Sequence, residues 1–98
     1  MNTKKWGEIR LAMYQYPLPI MWRTKDLLSG HVSDWDAEWY YHFKCGGYES
    51  IEWLEIDASN KEIKNAVIKI LQKIHVPGIV MENSIFILGY CNSAVDYV

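Results

Sequence analysis

The chain has 98 residues, 50% of them apolar and 22% charged, with a formal net charge of −2. That length suits a single domain over residues 1–98, and the composition excludes disordered and fibrous classes. The slightly acidic balance argues against direct nucleic-acid binding, which needs a basic face to release counterions, and no apolar run approaches the ~20 residues of a membrane span.

The opening residues, Met1 to Trp6, run into Gly7-Glu8-Ile9-Arg10 instead of an apolar core, so no signal peptide is expected. Lys4 to Tyr14 reads as a short helix: Trp6, Ile9 and Met13 recur at helical spacing, and Thr3 is placed to cap it. Pro17-Leu18-Pro19 ends it, because proline lacks a backbone donor and disfavours helix in the residue before it. Ile20 to Trp22 is expected as a short strand and Lys25 to Ser29 as a helical turn stopped by Gly30, with His31 to Asp36 a polar loop.

From Glu38 to Lys44, Trp39, Tyr41 and Phe43 alternate with Glu38, Tyr40 and His42, a period-two pattern that predicts a strand with those three rings facing the core. Cys45-Gly46-Gly47 supplies a turn, and Tyr48 to Ile56 returns as the partner of an antiparallel hairpin. On that second strand Ile51, Trp53 and Glu55 share one face, and Glu52, Leu54 and Ile56 the other.

Ser59-Asn60-Lys61-Glu62 has capping-box spacing. After it Ile63, Ala66, Val67, Ile70, Leu71 and Ile74 form one apolar stripe, with Lys73 and His75 suited to the negative helix end and Pro77-Gly78 as the stop. Ile79 to Met81 and Ile85 to Gly89 predict two more strands turning near Glu82-Asn83-Ser84. The expected class is α+β: an antiparallel sheet packed against one long amphipathic helix, with a short N-terminal helix.

His42 and Cys45 have an H-x-x-C spacing, but a structural zinc site needs four ligands and no second pair stands at comparable spacing, so no metal or other cofactor is expected. With only Cys45 and Cys91, the chain fits a reduced cytoplasmic protein with unpaired thiols. Neither thiol lies at a recognisable helix N-terminus that would activate it, and no phosphate or dinucleotide motif occurs.

Charge and rings are distributed unevenly. Asp34, Asp36, Glu38, Glu49, Glu52, Glu55 and Asp57 fall within 24 residues opposed by Lys44 alone, so that segment carries −6 and the remainder +4. Trp35, Trp39, Tyr40, Tyr41, Phe43, Tyr48 and Trp53, half of all the aromatics, lie in the same stretch. Protein hot spots favour Trp and Tyr, and charge steers encounter, so the segment reads as a partner surface with Asp34, Asp36, Glu38, Tyr40, Glu49, Glu52 and Glu55 as contacts.

The strings Trp35-Asp36-Ala37-Glu38-Trp39-Tyr40-Tyr41-His42-Phe43, Tyr48 to Ile56, and Lys73-Ile74-His75-Val76-Pro77-Gly78 resemble a small bacterial family catalogued only as a domain of unknown function. The resemblance runs from Trp6 to Tyr90 and implies no activity and no functional residues. In size and charge, with no motif behind it, the chain is also similar to immunity proteins of bacterial toxin systems, including contact-dependent growth inhibition.

The expectation is therefore a non-enzymatic, cytoplasmic binding protein. In its specific form it is an immunity protein that fills the basic groove of a cognate toxin such as a nuclease, with no membrane partner. The alternatives are a small enzyme using His42, Cys45 and nearby carboxylates, or a homodimer or other homo-oligomeric interaction subunit.

Overall fold

A computed structural model describes residues 1–44, 47–90 and 96–98. Two helices, α1 (Thr3–Gln15) and α2 (Lys61–Ile74), accompany four strands, β1 (Trp22–Asp26), β2 (Ile51–Asp57), β3 (Gly78–Val80) and β4 (Ser84–Leu88). The strands form one sheet in the order β1-β2-β4-β3, every neighbouring pair antiparallel. The class is α+β, but the helices span 13 and 14 residues, so the expected contrast of one long and one short helix gives way to two of nearly equal length.

Both helices begin one residue away from the expected cap. Asn2, not Thr3, caps α1, its side chain accepting from the Lys5 amide at 2.9 Å. Asn60, not Ser59, caps α2 and accepts from the Ile63 amide at 3.0 Å. Asparagine is as good an N-cap as serine, so side-chain type alone did not discriminate the adjacent positions. At the far end of α2, His75 takes a left-handed conformation (φ 68°), and its amide bonds the Leu71 carbonyl.

Register decides the two sheet faces. Leu54 pairs with Ile87 and Ile56 with Ile85, so all four point one way, and all four are fully buried. They join Trp6, Ile9 and Met13 of α1 and Val67 and Leu71 of α2 in one core. The opposite face carries Arg23, Trp53, Glu55 and Phe86; Trp53 meets Phe86 edge-on at 5.2 Å. Glu55 is 7% exposed there, its Oε1 accepting from Arg23 Nε at 2.7 Å, and the guanidinium lies 4.5 Å from the Trp35 ring centroid. The alternation read from the sequence holds from Trp53 to Ile56; a register shift against β1 breaks it at the start of the strand, and Ile51, expected on the face of Trp53 and Glu55, is buried in the core.

Three expectations near β1 shift. The strand starts at Trp22 and runs to Asp26, instead of ending at Trp22, because it pairs with β2 along that length, while on its other edge Trp22 bridges Asp36 and Lys25 bridges Val32. The turn at 27–29 follows it, built by the Asp26 carboxylate accepting from the Leu28 and Ser29 amides, with Gly30 at φ 72°. The largest correction concerns residues 38–44, where no strand forms and residues 39–44 are turns. The hairpin expected with Tyr48 to Ile56 does not exist; β2 is flanked by β1 and β4. Cys45 and Gly46 of its expected turn lie outside the described residues, as does Cys91.

Candidate functional site

The long connection from β1 to β2 holds most of the candidate contacts, and its conformation follows from two acids. Asp36 accepts from the Glu38 amide through Oδ1 (2.8 Å), and its Oδ2 lies 2.7 Å from His42 Nδ1. Glu38 then accepts from three successive amides, those of Tyr40, Tyr41 and His42, at 3.2, 2.7 and 2.8 Å. Those amides need an acceptor, and a carboxylate that supplies it locally competes with any strand ladder. The His42 amide foremost, with those of Tyr41 and Tyr40, outweighs desolvation and holds the Glu38 carboxyl below its ordinary value of 4.5. Desolvation raises the Asp36 carboxyl, but the Glu38 amide, the His42 ring and the Ala37 amide together take it below its ordinary 3.8.

Beneath this turn lies an aromatic floor. Trp39 and Phe43 are each 3% exposed, with ring centroids 4.8 Å apart. Trp22 packs against both, and Trp6 and Tyr48 close on Phe43 from α1 and the segment leading to β2. Trp39 Nε1 donates to the Ile20 carbonyl at 2.9 Å, and Trp22 Nε1 to the Glu38 carbonyl at 3.1 Å. Tyr41, expected in the core beside them, is instead 73% exposed. Inward at 39 and 43 and outward at 41 is the spacing of a helical turn, not of a strand.

What the turn presents to solvent is Tyr40 and Tyr41, with ring centroids 4.8 Å apart, beside two residues of α1 that sequence reasoning missed. Tyr14 lies 5.1 Å from Tyr40. Arg10 sits 4.3 Å over the Tyr40 ring while its Nε donates to the Tyr40 carbonyl at 2.9 Å. The i, i+4 spacing of Arg10 and Tyr14 on an otherwise polar flank of α1 was the available signal.

The seven candidate contacts do not converge on one spot. Asp34 is exposed beside Trp35; Asp36, Glu38 and Tyr40 form the turn. Glu49 is exposed and borders a surface hollow with Leu27 and Leu28, while its carbonyl accepts from the Tyr90 hydroxyl. Glu52 and Glu55 lie on β2, salt-bridged to Lys25 (3.2 Å) and Arg23 (2.7 Å). His42, named with Cys45 in the enzymatic alternative, is engaged with Asp36, and Cys45 lies outside the described residues. No group of three or more His, Cys, Asp and Glu among the described residues is placed to hold a metal ion.

The model of a family of unknown function, DUF6678, matches residues 1–94. The chain belongs to that family. No curated protein and no solved structure matches it. Among the described residues of this family member, no helix is long and apolar enough to cross a membrane.

Proposed function

We propose that this DUF6678 member is a non-enzymatic protein-binding domain and, more specifically, an immunity protein that neutralises a cognate bacterial toxin, such as a nuclease, in the cytoplasm. The observation that carries the reading is the display of Tyr40 and Tyr41 on a turn fixed by Asp36 and Glu38 and braced by Arg10 and Tyr14. Tyrosine and arginine are the residues that dominate protein interfaces, and rings already held in place lose little freedom on binding.

Charge supports the same reading. Outside the two helices the chain carries three basic and ten acidic side chains, a formal −7. Such a surface steers a basic groove towards it, with Asp34 and Glu49 exposed for contact and Tyr40 and Tyr41 as anchors that slow dissociation. Asp36 and Glu38 act through the turn they hold; Glu52 would exchange its present cation for the partner's, while Glu55, buried, acts by holding Arg23 on the surface.

Co-expression with the product of the adjacent gene, scored by growth, tests this. The native chain should protect cells from that product, and a Tyr40→Ala/Tyr41→Ala double variant with unchanged circular dichroism should not. Equal protection by the two chains, or an adjacent product without toxicity, would sink the immunity reading.

A further inference from the structure

The helices are the electrostatic counterpart of the acidic remainder. α1 and α2 hold seven of the ten basic side chains and two of the twelve acids, a formal +5. Between them runs an open groove of about 490 Å³ whose floor is apolar, made by Leu11, Ala12, Ile70 and Ile74, with Glu8 and Lys73 at its rim. Leu11 is 47% exposed, an unusual position for a leucine that has a groove of half-buried isoleucines beside it. The patch plays no part in the tyrosine display, which lies on the other flank of α1.

We infer that this groove receives an acidic amphipathic helix from a partner protein. Three features select that occupant. The groove is concave, so it accepts a ridge of side chains, whereas a flat bilayer surface would leave its floor uncovered. Both walls are α-helices whose backbone groups are already bonded within themselves, so an extended peptide would find no ladder to join. Lys73 at the rim, with Lys69 one turn before it on α2 and Lys4 one turn before Glu8 on α1, favours carboxylates along the polar flanks of the incoming helix. Leucines at i, i+3 or i+4, and i+7 would then fill the floor between Leu11 and Ile74.

The test uses the full chain, labelled with ¹⁵N, and a synthetic amphipathic peptide of about 15 residues with leucine on one face and glutamate elsewhere; its control carries lysine for every glutamate. The acidic peptide should give saturable shifts at Leu11, Ile70, Lys73 and Ile74, and raising the salt should weaken them. Lys73→Glu and Leu11→Glu, both at exposed positions, should each weaken binding about tenfold or more. Equal binding of the lysine peptide, shifts centred away from the groove, or no saturable shift would overturn the proposal. So would co-sedimentation with phosphatidylserine vesicles that Leu11→Glu abolishes while peptide binding stays absent. The growth assay above is independent, since Leu11→Glu should leave protection intact; loss of protection with unchanged peptide binding would strike the immunity reading alone.

Discussion

Replacing Trp39 by alanine removes the ring that anchors the whole β1–β2 connection. The indole is 3% exposed, touches Trp22 and Phe43 at centroid distances of 5.6 and 4.8 Å, and donates to the Ile20 carbonyl. Deleting a buried tryptophan costs about 3–5 kcal/mol, a large part of the roughly 5–15 kcal/mol that holds a domain of this size. At ~4–8 °C per kcal/mol, the melting temperature should fall by about 12–40 °C. Trp39→Phe keeps a ring in the floor but strands the buried Ile20 carbonyl, so it should cost about 1–3 kcal/mol. Tyr41→Ala is the decisive contrast. Were residues 38–44 a strand with 39, 41 and 43 inward, losing Tyr41 would rival losing Trp39; at 73% exposure it should change stability by less than about 0.5 kcal/mol. Urea unfolding followed by far-ultraviolet circular dichroism, with an unchanged denaturant slope, measures all three. A Tyr41→Ala cost above about 2 kcal/mol, or a Trp39→Ala cost below about 1 kcal/mol, would refute the packing described.

Because Asp36 and Glu38 are held below their ordinary values of 3.8 and 4.5 in the folded chain, the folded state binds fewer protons than the unfolded one around those pH values. Their stabilisation is complete above those ordinary values and is lost as pH falls through the lower folded ones. Stability measured from about pH 5 down to pH 3 should therefore fall more steeply for the native chain than for Glu38→Gln, and parallel curves would count against the carboxylate's role. A Cβ at Gly89 would collide with the Ile51 carbonyl oxygen, so Gly89→Ala should abolish soluble folding, while Gly7→Ala, with open space around it inside α1, should raise stability by about 0.5–1 kcal/mol in the same unfolding assay. Asn60→Ala should lower stability by about 1 kcal/mol and Ser59→Ala by less than about 0.5 kcal/mol; the reverse order would restore Ser59 as the cap of α2.

The sequence by itself determined the elements whose signal is local. The stripe from Ile63 to Ile74 predicts α2 because one helical face must be apolar to bury, and Leu71 and Val67 on that stripe are fully buried. The last two strands and the turn between them follow from short apolar runs separated by Glu82 and Asn83, and they pair as an antiparallel hairpin. The alternation along β2 also survives from Trp53 to Ile56, with Leu54 and Ile56 inward and Glu55 on the other face, although its neighbours in the sheet were not legible. Strand pairing depends on contacts remote in the chain, and nothing near Ile51 distinguishes β4 from residues 38–44 as a partner.

Tertiary structure alone decided the candidate site. Trp39 and Phe43 satisfy both a period of two and a spacing of four, and only the direction of Tyr41 separates the readings. That direction depends on Asp36 and Glu38 capturing amides that a strand would have given to a neighbour, and on Trp6 and Trp22 arriving from elsewhere to cover Phe43. The acids and rings counted together in one segment thus separate in space: Trp39 and Phe43 become core with Tyr48 packed against it, two of the acids become scaffolding, and Trp35, Tyr40 and Tyr41 remain exposed. Charge behaves in the same way. A count along the chain gives −6 against +4, but helix formation gathers seven cations onto one layer, and so the groove between α1 and α2 acquires a character that no stretch of sequence displays.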